Sequence, residues 1–261
     1  MEVCCSEDER GAIVSRSSRL LFRSGLGLVL LAAVPAMAFL ISVHRWMTDE
    51  AMSQFPSSAL KDFERRRILA GVADADFVEG GSSFLRSSAY DPRFHFDNEH
   101  SYADVIENYR SVTRNMEINL AKNPKDPWEF GKFLHPIEDF YSHSNFIPLY
   151  RQYERDNGLM AGSIPIVEEV FLDQQRYAAF ITVLRSNLRT GIYPNRLLPD
   201  GMYHGYIVGP GMHKDHIARI FYREATETAL RAAVWYLHVY VNDPQQLQQW
   251  RDLKQGKILI E

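Results

Sequence analysis

The amino-acid sequence predicts an all-α protein, a single-domain helical bundle with long loops. Apolar residues recur every three or four positions in several long stretches, the spacing of a helix that buries one face. Alternation of polar and apolar residues, which is typical of strands, is scarce. The 261-residue chain is 46% hydrophobic and 24% charged, so it can form one sizeable core.

The first element is an uncharged apolar stretch, residues 25–43, which follows a polar region containing four arginines. The small residues Ala36 and Ala38 at the end of its apolar core are typical of a signal peptide that is cleaved after Ala38. The stretch is also about as long as a membrane-spanning helix, so an uncleaved anchor is the alternative. We expect residues 1–38 to be a signal peptide or anchor and residues 39–261 to be an exported domain, periplasmic, secreted or membrane-held.

Helical patterns follow in order along the exported part. Thr48 is a candidate N-cap for the first pattern, and the second, residues 60–77, is expected to stop near Gly71. Ser101 is the candidate cap of a helix of about six turns. Further helical patterns cover residues 128–147, 165–188 and 215–241, which gives six or seven helices in all. Two loops with Gly and Pro, residues 79–99 and 191–212, are expected to serve a site.

Three possible metal ligands lie four residues apart in an aromatic stretch: His135, Asp139 and His143. On an α-helix this spacing places all three side chains on one stripe. Imidazole nitrogen and carboxylate oxygen suit zinc, and a buried Asp requires a partner. The alternative is a core helix in which the histidines only form hydrogen bonds and Asp139 acts as a cap or pairs with an arginine. Pro136 could kink this helix.

Other polar residues beside apolar helix faces strengthen the metal interpretation. His44 precedes the first helical pattern, Asp76 ends the second, and His95 lies among aromatic residues. His213 and His216 lie near the start of the last pattern. Six of the nine histidines occupy such places, which favours a site for more than one metal ion.

The order of these residues, after an export signal, resembles the zinc-dependent phospholipase C and single-strand nuclease superfamily. The stretch "LHPIEDFYSHSNF" is most similar to the branch that contains fungal heterokaryon-incompatibility proteins. The resemblance covers roughly residues 39–240. It implies a helical bundle with up to three zinc ions in a cleft, which hydrolyses phosphate esters.

The resemblance also implies a ligand set. Its members here are Phe39, His44, Asp76, His95, His135, Asp139, His143 and His216. Phe39 would bind through the backbone of a new N-terminus, and Asp76 would bridge two metals or act as general base. The family's last His–Glu or His–Asp pair has no clean match, because the residue four after His216 is Ile220. Asp97 and Glu138 could orient the histidines.

These inferences predict an exported zinc-dependent phosphodiester hydrolase of the phospholipase C type, acting on a phospholipid headgroup or another phosphodiester. Membrane association is possible. The net charge of -4 gives no support for broad binding to nucleic acid. Three alternatives stay open: a non-catalytic metal-binding member of the same fold acting at a membrane, a single-strand nuclease, and a helical, membrane-anchored structural protein without metal.

Overall fold

A computed structural model describes residues 41–78, 92–191 and 220–254, and it confirms the all-α prediction. These residues form nine α-helices, one 3₁₀ turn and no strand. The helices are α1 (Ile41–Ser53), α2 (Asp62–Val78), α3 (Tyr102–Leu120), α4 (Pro127–His143), α5 (Phe146–Asp156), α6 (Val167–Leu172), α7 (Gln174–Asn187), α8 (Tyr222–Tyr240) and α9 (Pro244–Lys254), and the 3₁₀ turn is Pro92–His95.

Helix α4 is the central element, and it packs against α2, α3 and α8. Asp126 caps its start, where the side chain accepts hydrogen bonds from the backbone N–H groups of Trp128 and Glu129. Every residue from Leu134 to His143 is buried. The helix continues through Pro136, so the candidate ligands of this stretch stay on one helix inside the core.

Two glycines let α2 and α4 cross at close range. A Cβ on Gly71 would lie 2.0 Å from the backbone oxygen of Trp128, and one on Gly131 would lie 2.1 Å from that of Ile68. The prediction that α2 stops near Gly71 is therefore wrong, since this glycine allows helix contact and α2 runs on to Val78. In the sequence, a glycine that allows two helices to pack closely looks the same as a glycine that ends a helix.

Other predicted boundaries differ as well. Thr48 does not begin a helix but lies within α1, where it is buried and its hydroxyl donates to Glu138. The pattern over 165–188 forms two helices, because Asp173 breaks it and caps α7 by accepting from the Arg176 N–H. Ser101 caps α3 as predicted. The predicted count of six or seven helices was too low, since α5 and α9 were missed.

The segment after the 3₁₀ turn is fixed beside the C-terminal end of α4. The Asn98 N–H donates to the Gly191 oxygen at 2.7 Å, and the Gly191 N–H donates to the His143 oxygen at 3.1 Å. Phe96 has a left-handed φ of 51°, which is rare outside glycine and persists only where the surroundings hold it. Its ring contacts Tyr109 and Phe140.

No helix in the described ranges has both the length and the apolar character that crossing a bilayer requires. The predicted signal peptide or anchor, residues 1–38, lies outside those ranges.

Candidate metal centre

Asp139 lies at the centre of three imidazoles that come from three separate segments. Its Oδ1 is 3.2 Å from His44 Nε2 on α1. Its Oδ2 is 3.1 Å from His95 Nδ1 on the 3₁₀ turn and 3.1 Å from His135 Nε2, one turn earlier on α4. These last two nitrogens are 3.4 Å apart. Three imidazole nitrogens therefore surround the two oxygens of one carboxylate, and we call these four residues the Asp139 cluster.

The Asp139 cluster is closed to solvent, and its charges are complementary. His44, His135 and Asp139 are 0% exposed and His95 is 2% exposed. Burial acts to raise the pKa of Asp139, but the imidazoles of His135, His44 and His143 hold that pKa well below its usual range. Burial lowers the pKa of His44, yet Asp139 and Glu138 outweigh it and raise the pKa to about 10.

His44 lies between two acids that are adjacent in the sequence. Its Nε2 faces Asp139, while its Nδ1 lies 2.6 Å from Glu138 Oε2. The ring also stacks on His135, with ring centroids 4.1 Å apart. Thr48, one turn further along α1, donates to the other oxygen of Glu138 at 2.8 Å. The orientation of His44 is therefore fixed on both edges and on one face of its ring.

His143 continues the stripe of α4 and contacts another acid, since its Nδ1 is 3.2 Å from Asp97 Oδ1. Nearby, Glu99 accepts from the Thr190 hydroxyl at 2.6 Å and from the Asn108 amide at 2.9 Å. Burial raises the pKa of Glu99 to about 8, with a further contribution from Asp97. A second buried polar network thus lies next to the Asp139 cluster.

The spacing of the donors fits a bound zinc ion. Zinc with Zn–N distances of about 2.0–2.1 Å in a tetrahedral site places neighbouring ligand atoms about 3.3–3.4 Å apart. Three separations in the Asp139 cluster join an imidazole nitrogen to one of the two Asp139 oxygens and the fourth joins two nitrogens, and all four run from 3.1 to 3.4 Å. The ligand atoms of His44, His135 and Asp139 all lie within 4.8 Å of one another. Three imidazoles and one carboxylate are donors that zinc accepts.

The structure therefore unites four of the predicted site residues: His44, His95, His135 and Asp139. His143 lies beside them and contacts Asp97. The other three, Phe39, His216 and the side chain of Asp76, fall outside what the structure describes. Glu138 and Asp97 each contact a histidine, as acceptors that orient a ring would.

Thr48, Glu99 and Thr190 were not predicted to belong to the site. The sequence carries a signal for the first, because Thr48 follows His44 by four residues and so shares its helix face. Glu99 and Thr190 are far apart in the chain, so no local sequence pattern predicts the contact between them.

Comparison with known proteins indicates a different relationship from the predicted one. Residues 66–166 match the family described as VWA7 N-terminal domain. Over 93 residues the chain is 31% identical to human and 29% identical to rat von Willebrand factor A domain-containing protein 7. The aligned stretch covers 33% of this chain and 10% of either relative, so the chain spans only a small part of their length. No solved structure matches the chain significantly.

These matches overturn the resemblance to zinc-dependent phospholipase C and single-strand nucleases. The matching family and the curated relatives belong to a different group, and none of them indicates phosphodiester hydrolysis. The predicted hydrolase function, its nuclease alternative and the non-catalytic version of that fold are therefore wrong. The short motifs misled because metal ligands about one turn apart on an inward-facing helix also occur in unrelated helical bundles.

Proposed function

We propose that this chain is a metal-binding helical domain that holds one zinc ion in the Asp139 cluster. The observation that supports this most directly is the convergence of three imidazoles on one buried carboxylate, at separations of 3.1–3.4 Å. A divalent cation bound among these nitrogens would add positive charge beside the buried carboxylate. When bound, zinc would supply a strong positive charge and four directional bonds.

The chemistry of the donors favours zinc over harder cations. Magnesium and calcium prefer oxygen ligands, whereas this cluster offers three nitrogens and one carboxylate. The ion would also join distant parts of the chain: α1 through His44, the 3₁₀ turn through His95, and α4 through His135 and Asp139. Such a bond network adds its binding free energy to the folded state.

The proposal is compatible with the similarity to the VWA7 N-terminal domain. The matched range, 66–166, contains His95, His135 and Asp139, while His44 lies before it. We propose that the chain carries a domain of this kind, with its metal site completed by the helix that precedes the matched range.

Zinc analysis of the purified full-length chain tests the proposal. After exhaustive dialysis against a chelator, titration should restore about one zinc per chain in the wild type. His135→Ala should lose that zinc, because it removes one donor from the Asp139 cluster. His238→Ala is the matched control, since this histidine is half-exposed at the end of α8 and contacts Asp243. Failure of the wild type to bind zinc, or equal binding by His135→Ala, would contradict the proposal.

We also propose that the domain is exported. The apolar stretch 25–43 follows four arginines and contains the small residues Ala36 and Ala38, a pattern typical of a signal peptide. N-terminal sequencing of the protein from the cell exterior distinguishes the two forms. A chain beginning at Phe39 indicates a cleaved signal, and an intact N-terminus in the membrane fraction indicates an anchor. Retention of the whole chain in the cytoplasm would contradict export.

A further inference from the structure

We infer that Glu138 and Thr48 are positioning residues that set the zinc affinity of the site through His44. This inference rests on the proposed zinc site. It concerns two side chains that do not belong to the ligand set and would not touch the ion. Glu138 lies directly before Asp139 on α4, and Thr48 lies one turn after His44 on α1.

A bound zinc ion requires one particular neutral tautomer of His44. A neutral imidazole has one N–H and one bare nitrogen, and only the bare nitrogen can bind a metal. Glu138 Oε2 lies 2.6 Å from Nδ1. Because an ionised carboxylate can only accept, this contact favours the tautomer that carries its N–H at Nδ1. Nε2, which is 3.2 Å from Asp139, is then the nitrogen left to bind the ion. Glu138 thereby selects the tautomer that can act as a ligand.

The side chain of Glu138 is itself held in place by contacts at both of its carboxylate oxygens. The side chain is 0% exposed, and each of its oxygens has a partner on α1, one turn apart: His44 at Oε2 and Thr48 at Oε1. A carboxylate held at both oxygens cannot rotate away from the imidazole without breaking the bond to Thr48. Thr48 therefore keeps Glu138 in place, and Glu138 keeps His44 in place.

The contact with Glu138 also affects how tightly His44 binds a metal ion. Acceptors that hold a metal-binding histidine by its other nitrogen raise the basicity of the ring, and their loss typically lowers metal affinity about 10–100-fold. The stacking of His44 on His135 limits tilt of the ring but does not choose a tautomer. The hydrogen bond to Glu138 is thus the contact that chooses it.

The test uses full-length Glu138→Gln, in which an amide N–H₂ can face His44 Nδ1 and favour the wrong tautomer. We expect zinc affinity to fall about 10–100-fold in a competition titration, with the stoichiometry still about one. The zinc-loaded wild type should show a downfield, slowly exchanging Nδ1–H proton of His44 in NMR spectra. That resonance should disappear or shift strongly upfield in the variant.

Two further variants make the result specific. Thr48→Val keeps the shape of the side chain and the carboxylate of Glu138, and it should lower zinc affinity by a smaller factor. It also carries the test if Glu138→Gln does not fold. Glu168→Gln alters another buried carboxyl that accepts hydrogen bonds from Tyr109 and Tyr236, and it should bind zinc as tightly as the wild type.

The outcomes separate this inference from the proposal beneath it. If the wild type binds zinc but Glu138→Gln and Thr48→Val bind it equally well, the positioning role is overturned and the zinc site stands. If the wild type binds no zinc, both are overturned. A loss of affinity in Glu168→Gln as large as in Glu138→Gln would also overturn the positioning role, because the effect would then follow general destabilisation.

Discussion

Two buried acids in the same bundle have opposite surroundings. Asp139 is enclosed by imidazoles, whereas Glu168 Oε1 accepts hydrogen bonds from the hydroxyls of Tyr109 and Tyr236, each at 2.5 Å. The pKa of Asp139 is held well below its usual range by the imidazoles despite burial. The pKa of Glu168 is raised by burial, although the tyrosine hydroxyls oppose the rise.

The difference shows which kind of partner prepares a buried acid for a metal. Imidazole nitrogens can release their protons and bind a cation, but neutral tyrosine hydroxyls remain hydrogen-bond donors at ordinary pH. Burial raises the pKa of both Tyr109 and Tyr236 well above the usual value, which keeps their protons in place. Glu168 therefore serves packing between α3, α6 and α8, and Asp139 is the acid that can hold an ion.

The largest expected effect comes from exchanging each acid for its amide. Asp139→Asn should reduce zinc affinity at least about 100-fold, because it removes a ligand charge that the cation needs. Glu168→Gln should leave zinc affinity unchanged. Isothermal titration of both variants with zinc measures this contrast, and equal losses would erase the distinction between the two acids.

Glu99 is a third buried acid, and its stability effect depends on pH. Its pKa is raised to about 8 by burial, from an ordinary value of 4.5. Between those values the folded protein keeps a proton that the unfolded chain has released. The free energy of unfolding should therefore fall as pH rises from about 5 to about 8, by about 4 kcal/mol from this residue.

Glu99→Gln measures that contribution, since an amide does not titrate in this range. Urea unfolding of the metal-free protein at several pH values measures the free energy of unfolding of the variant and of the wild type. The value for the variant minus the value for the wild type should increase as pH rises to about 8. Glu138→Gln is not a suitable comparison, because it alters the Asp139 cluster. A gap that does not depend on pH would contradict the raised pKa of Glu99.

Zinc should stabilise the fold through the Asp139 cluster. At a free zinc concentration of 100 times the dissociation constant, the free energy of unfolding should rise by about 2.7 kcal/mol in the wild type. Glu168→Gln should gain the same amount and Asp139→Asn almost none. Thermal unfolding with and without zinc measures the gain, and an equal gain in Asp139→Asn would place the ion elsewhere.

The smallest effect concerns the hydroxyls around Glu168. Tyr109→Phe removes one of two donors to a buried carboxyl and should cost about 1–2 kcal/mol of stability. Its zinc affinity should equal that of the wild type. Denaturant unfolding and zinc titration together check both parts, and a weakened zinc affinity would mean that the two buried acids are coupled.

The elements that the sequence predicted well are those whose signals are local. The Ser101 cap and the apolar face of α3 depend on residues within one helix, and the structure confirms both. Gly71 was misread because its role depends on the backbone of α4, which approaches from a distant part of the chain. Thr48 was misread for the same reason, since its partner Glu138 is 90 residues away.

The site shows the same limit. The spacing of His135 and Asp139 on one stripe was enough to predict that they lie together, and they do. The arrival of His44 and His95 at that point depends on how α1 and the 3₁₀ turn pack on α4, which spacing does not encode. The position of His44 and His95 beside apolar stretches indicated a site, and the resemblance that assigned them as ligands named the wrong family. The placement of the residues and the function attached to them must therefore be judged separately.

X-ray absorption spectroscopy at the zinc edge, on the purified zinc-loaded protein, tests the central claim most directly. We predict a first coordination sphere at about 2.0–2.1 Å made of nitrogen and oxygen, with the multiple scattering of about three imidazoles. The signature of imidazole should weaken in His135→Ala. A shell of oxygen atoms alone, or a spectrum unchanged in that variant, would contradict a zinc ion held by the Asp139 cluster.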